Sequence, residues 1–244
     1  MGFTIYRKDS FGTERWHRCM ELSKSDLSIL SQSILFKDME TDSLLKAVSF
    51  HRGNVAFYKK GETLHTAFTP FSSFGLVLCG SVLVFSETYE GDRLIFKNVL
   101  PGETFGESLS FLKILDSPVF AQASKDCRIL WLSPEGFFKD GEGEIQREME
   151  KRFLSLLAQR TLAQNDRIQI LSKLHLRDKI LTYFTFLSQR AKSSTFLLPM
   201  DRSELAFYIG ANRSAMERQL KALSDEGILK IEKNTVTLLK KVEI

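Results

Sequence analysis

From Glu142 to Leu174 the chain carries no proline and, after Gly143, no glycine, while apolar residues recur at helical spacing throughout. A helix of that length exceeds the roughly 8 to 20 residues of an ordinary globular helix, so it is expected to serve an interaction. Leu154, Leu157, Thr161, Gln164, Ile168 and Leu171 fall on one line, spaced 3, 4, 3, 4 and 3 residues apart. This is the a/d register of a parallel coiled coil, which predicts a homodimer. The alternative is a helix packed on its own domain. The polar Thr161 and Gln164 at the centre of the line are tolerated in either case, and in a dimer they would face each other or a ligand.

The helix divides the chain into parts of different pattern. Upstream, from about Ser49 to Ser133, short runs rich in Val, Phe, Ile and Thr alternate with glycine-containing turns, as in VAFYKKGETL and GLVLCGSVLVFSETYEGDRLIFKNVLPGETFGE. Many short strands with regular turns predict an antiparallel sandwich or barrel, reversing at Gly61, Gly80, Gly91 and Gly102. Ser25 to Leu35 reads as a further helix capped by Ser25. The fold class is therefore α+β. The expected division is an N-terminal extension over 1–36, a β-roll over 37–141, a dimerisation helix over 142–174 and a DNA-binding domain over 175–244.

Several function classes are excluded. Hydrophobic residues make up 43% and charged residues 26% of the 244, the balance of a folded soluble chain. The longest apolar stretch, Phe74 to Phe85, is cut by Gly80 and Ser81 and falls short of the roughly 20 residues of a membrane span. The N-terminus, MGFTIYRKDSFGTERWHR, has charges where a secretory signal is apolar, so no membrane partner and a cytoplasmic location are expected. Cys19, Cys79 and Cys127 form no C-x-x-C and read as buried reduced thiols. His17, His51, His65 and His175 show no metal-ligand spacing, so no metal site is expected. No catalytic dyad stands out either, which argues against an enzyme.

Charge is unevenly distributed. Residues 172–244 hold 13 Lys and Arg against 8 Asp and Glu, leaving 21 against 22 in residues 1–171. An excess of positive charge confined to the C-terminal third points to an anionic partner there, nucleic acid first. Asp201 and Glu204 have capping-box spacing, which predicts a helix from Arg202. Ala206 is small where a second helix would approach, Gly210 permits a sharp turn, and Asn212 is a good N-cap for a helix over Arg213 to Glu226. The result is a helix-turn-helix. At about 100° per residue, Arg213, Ser214, Glu217, Arg218 and Lys221 share an arc of about 140°, while Met216, Leu220 and Leu223 fall together in the next sector. One sector is core; the other is a polar, mostly basic face near the helix N-terminus, where a major-groove reader makes its base contacts. A hairpin over Ile228 to Leu239, turning at Lys233 and Asn234, makes the unit winged.

A β-roll, a long dimer helix and a winged helix-turn-helix, in that order, resemble the Crp/Fnr superfamily of bacterial transcription regulators over about residues 34–240. The segments that carry the resemblance are GETFGESLSF (102–111), similar to the family's phosphate-cassette segment, RDKILTYF (177–184), similar to its hinge-following helix, and RSELAFYIGANRSAMERQLKAL (202–223), similar to its DNA-reading signature. The resemblance implies a homodimer that binds double-stranded DNA at a palindromic operator, with RNA polymerase as a further partner. It implies base reading by Arg213, Ser214 and Arg218, and phosphate contacts by Arg202, Asn212 and Lys221. Ser214 stands where the cyclic-AMP-binding members carry a Glu that reads cytosine.

The same resemblance implies an effector pocket formed by Gly106, Glu107, Ser108 and Ser117 together with Arg160, Gln164 and Asn165 of the long helix. In cyclic-AMP-binding members an Arg ten residues after the Glu pairs with the cyclic phosphate, whereas here that place holds Ser117, followed by Pro118 and Val119. A buried phosphate anion without its cation costs several kcal/mol, so cyclic AMP in the usual mode is not expected. An ion pair between Glu107 and Arg160 is the structural alternative for both residues. An Fnr-type iron-sulfur cluster needs an N-terminal cysteine group, where Cys19 stands alone, and haem would need His51, His65 or Cys79, each more often structural. The residues leave room for an unidentified small-molecule effector or, alternatively, for a constitutive DNA-binding dimer whose roll has lost effector binding.

Overall fold

The computed structural model describes residues 22–90, 93–138 and 143–240. Most of the N-terminal extension, with Cys19 and His17, lies outside the described residues, as does Gly91. Two compact units divide between Leu156 and Leu157, inside the long helix.

In the first unit, α1 (Lys24–Leu30) starts at Ser23, not at the expected Ser25. Ser23 Oγ accepts the Asp26 N–H at 3.2 Å and the Asp26 carboxylate accepts the Ser23 N–H at 2.7 Å. A capping box needs an acceptor three residues on, which Ser23 finds in Asp26 and Ser25 lacks at Ser28. The same Asp26 is 2% exposed and pairs with Arg128 at 2.8 Å, a buried charge satisfied on both counts. Helix α2 (Thr41–Phe50) then leads into β1 (Asn54–Tyr58).

The roll is two antiparallel four-stranded sheets. One has the order β1-β8-β3-β6, from β1, β8 (Cys127–Leu132), β3 (Phe74–Cys79) and β6 (Thr104–Phe105). The other has the order β2-β7-β4-β5, from β2 (Thr63–His65), β7 (Phe120–Ala123), β4 (Val82–Glu87) and β5 (Arg93–Val99). Between them lie Val77, Val82, Val99, Phe105, Ala121 and Ile129, with Phe71 from the β2–β3 loop. Helix α3 (Glu107–Phe111) follows β6 directly, and the long helix α4 (Glu144–Leu171) is close to the expected span. Its first turns bury Met149, Phe153 and Leu156. Phe153 stacks on Phe111 at 5.4 Å and meets Phe137 at 4.5 Å and Phe74 at 5.9 Å, so α3, β3 and the start of α4 share one aromatic cluster.

The cysteines divide. Cys127 is buried, and burial, reinforced by Cys79 and Asp126, pushes its thiol up to about 12, which makes it inert. Cys79 is exposed instead of buried, because the last residue of β3 turns outward ahead of the reversal at Gly80.

The second unit packs α5 (Leu176–Ala191), α6 (Arg202–Tyr208) and α7 (Arg213–Asp225) against a three-stranded sheet of order β10-β11-β9. The wing strands β10 (Leu229–Glu232) and β11 (Thr235–Leu238) turn at Lys233, where φ is +54°. A third strand, β9 (Thr195–Leu197), is not expected from the sequence: three residues are too few to show alternation, although Phe196 is buried between exposed Thr195 and Leu197. Ile170, Phe184, Leu205, Ile209, Met216, Leu220 and Leu223 form the core.

Candidate nucleic-acid interface and effector segment

Helix α6 begins at Arg202 with the expected capping box: Asp201 Oδ1 accepts from the N–H of Ser203 at 2.7 Å and of Glu204 at 2.9 Å, and Glu204 accepts the Asp201 N–H at 3.0 Å. The turn passes through Gly210 at φ +66°, a left-handed conformation that glycine adopts without cost. Asn212 Oδ1 then accepts the Ser214 N–H at 2.9 Å and starts α7. Helix α7 is amphipathic as expected. Met216, Leu220 and Leu223 are buried, whereas Arg213, Ser214, Glu217, Arg218 and Lys221 are exposed on one face.

Those exposed residues differ in their engagements. Arg213 donates to Ser203 Oγ at 2.9 Å, reaching back to α6. The Ser214 hydroxyl donates to Asn212 Oδ1 at 2.7 Å, so both side chains are tied to the cap. Arg218 and Lys221 make no ion pair among the described residues. Arg202 is 21% exposed at the side chain; its Nε lies 4.0 Å from Glu217 Oε1 and its Nη2 donates to the Lys233 carbonyl at 3.3 Å. The sequence signal for the ionic contact is the acid at 217, but spacing along one helix does not reveal a partner on another. Arg167 lies 5.5 Å from the ring centres of both Phe207 and Tyr208, and the same α4 turn pairs Asp166 with Arg190.

In the first unit the cassette segment is compact. Gly106, at φ +78°, is the N-cap of α3, and Glu107 is 1% exposed, accepting a hydrogen bond from the Thr104 hydroxyl. Ser108 is exposed, while Ser117 is buried and its carbonyl accepts the Phe68 N–H at 2.8 Å. The β2–β3 loop thus covers both ends of the cassette. Its Phe71 ring lies so close over Gly106 that a Cβ there would stand 2.3 Å from it. Phe71 also stacks on His65 at 3.9 Å and faces Phe105 and Trp131, each at 6.4 Å. Burial lowers the His65 imidazole to about 4, so it is neutral. No sequence pattern marks these rings as one cluster, because a loop and three strands bring them together. Arg160, Gln164 and Asn165 belong to the other unit, with Gln164 and Asn165 exposed on α4.

Among the described residues no group of three or more His, Cys, Asp or Glu could hold a metal ion, and no helix is long and apolar enough to cross a membrane.

Comparison with known proteins gives two family matches: the cyclic nucleotide-binding domain over residues 55–139 and the Crp-like helix-turn-helix domain over residues 178–242. The transcriptional activator protein FnrA of Stutzerimonas stutzeri is 28% identical over 232 residues, 93% of this chain and 90% of its own length. The transcriptional activator protein anr of Pseudomonas aeruginosa is 27% identical over the same shares. Among solved structures, the c-di-GMP responsive global regulator CLP of Xanthomonas campestris aligns with a TM-score of 0.56 at 21% identity, over 83% of this chain and 100% of its own. FixK2 of Bradyrhizobium japonicum aligns with a TM-score of 0.52 at 21% identity, over 79% and 99%.

Proposed function

The chain belongs to the Crp/Fnr family of DNA-binding transcription regulators, and from that premise we propose that it acts as a homodimer reading a palindromic operator, with a β-roll that does not answer to cyclic AMP. The observation that carries the DNA reading is the face of α7, where Arg213, Arg218 and Lys221 are exposed while Met216, Leu220 and Leu223 are buried. Arg213 and Arg218 are the base readers, each able to bond the O6 and N7 of a guanine, with Ser214 beside them. Lys221 and Asn212 add sequence-independent phosphate contacts. Arg202, expected among these, is already engaged by Glu217 and the wing.

Dimerisation is supported by apolar surface on α4: Leu154 and Ile168 are 65% and 64% exposed along the a/d line that also holds Leu157 and Leu171. Two reading helices on a dimer imply half-sites about one helical turn apart. Selection from a random duplex library should return such a palindrome, and recovery of a single asymmetric site would overturn the dimeric reading.

For the roll, two observations speak against cyclic AMP: Ser117 replaces the phosphate-pairing cation, and Phe71 presses on the cassette at Gly106. Calorimetry should show no saturable cyclic AMP binding below about 1 mM, an affinity limit of roughly 4 kcal/mol. A different small molecule would enter the roll among Gly106, Glu107, Ser108 and Ser117. The close packing of Phe71 favours a second reading, in which the roll has lost effector binding and the dimer binds DNA constitutively. Full-strength operator binding by ligand-free protein selects that reading.

A further inference from the structure

The DNA face of α7 carries one acid among its cations. Glu217 is 45% exposed at the side chain and sits one turn beyond Arg213 and Ser214, beside Arg218 and one turn before Lys221. A carboxylate turned towards phosphates weakens binding to every DNA sequence, since affinity rests on neutralising them. The major groove offers a carboxylate a suitable partner in the exocyclic amine of cytosine, which donates where Glu or Asp accepts. Arg202 is placed to hold the acid for that task. Its guanidinium stands beside Glu217 Oε1 at 4.0 Å, is anchored by the Lys233 carbonyl of the wing at 3.3 Å, and has Nη1 buried without a hydrogen-bond partner. At 4.0 Å the contact is ionic and longer than a hydrogen bond, so it offsets repulsion from the phosphates and leaves the acceptor sites of the carboxylate to a base.

We propose that Glu217 is a base-reading residue that selects cytosine in each half-site, with Arg202 as the positioning residue that holds it from the wing. The inference rests on α7 as the groove-entering helix and deepens that reading: the acceptor missing at Ser214 is supplied one turn later, so the cytosine it reads is displaced along the half-site.

Selection from a random duplex library with the full chain, Glu217→Ala and Glu217→Gln tests it. The wild-type motif should hold a C·G pair at one symmetric position of each half-site. Glu217→Ala should lose roughly 5- to 150-fold of discrimination there and keep the rest of the motif. Glu217→Gln should move the preference at that position towards adenine, whose N6 and N7 match an amide. Arg202→Gln should blur the same position, whereas a purely structural brace would change affinity for all sequences alike. A wild-type motif returned unchanged by both Glu217 variants overturns the inference alone. A wild-type chain that selects no motif overturns it together with the reading of α7 beneath it.

Discussion

Arg177 grips Glu226 at two points, Nη1 to Oε1 at 2.9 Å and Nη2 to Oε2 at 2.6 Å, and so ties the first turn of α5 to the C-cap of α7. The C-terminal end of α7 is fixed by a planar two-bond contact, the geometry in which arginine differs most from lysine. The bond to Arg177 holds the Glu226 carboxyl below the usual carboxylate range. A depressed acid contributes stability above its unfolded value, about 4.3, and loses it as pH falls through the lower folded value. Arg177→Met should therefore melt earlier than wild type at pH 7, with the difference shrinking as the pH falls below about 4. Thermal melts followed by circular dichroism at both pH values measure this, and a difference that persists in acid would assign it to packing.

The α4 seam predicts assembly. Replacing Leu157 and Ile168 by Asp puts like charges opposite each other in the proposed dimer, where one uncompensated buried pair costs several kcal/mol. Since Ile168 is 64% exposed in the single chain, the fold should survive. Light scattering should give half the wild-type mass. Retention of the full mass would move the interface elsewhere.

The contact of Phe71 with Gly106 predicts a paired effect. Gly106→Ala must adopt φ +78°, costing about 1 to 2 kcal/mol for a left-handed residue, and its methyl must displace the Phe71 ring. Phe71→Leu in the same chain should recover the steric part and leave the backbone part. Urea unfolding of the single and double variants separates the contributions; equal midpoints would show that the ring yields freely.

His65 predicts a pH slope. Because burial lowers the folded imidazole to about 4, the unfolded chain binds the proton first, and stability rises with pH between about 4 and 6.5. Acidification through that window should destabilise the roll less in His65→Leu than in wild type. Urea midpoints for the two proteins that run parallel across the same window would show that His65 contributes nothing to the slope.

How much of this is legible in the sequence depends on range. Elements specified within a few residues read clearly: the Asp201–Glu204 box, the Asn212 cap, the Gly210 turn and the α7 face all follow from local spacing. Ser25 passes for a cap as readily as Ser23 until the acid three residues beyond Ser23 is considered. Contacts between distant segments are silent. The Phe71 ring over Gly106, the Arg177 grip on Glu226 and the Arg202 brace on Glu217 join residues whose separation in the chain carries no periodic signal. Strand β9 escapes notice for a related reason, since its pairing with β11 supplies what its three residues do not.

The central claim, that α7 reads DNA with Arg218 as a base contact and Lys221 as a phosphate contact, is tested most directly by comparing Arg218→Ala with Lys221→Ala on the selected operator and on its single-base variants across a salt series. Arg218→Ala should lose about 1 to 3 kcal/mol of discrimination at one symmetric pair of positions. Lys221→Ala should weaken all sequences alike and reduce the salt slope by roughly one for each phosphate it no longer neutralises. An Arg218→Ala protein that keeps the full wild-type preference at every position would contradict the claim.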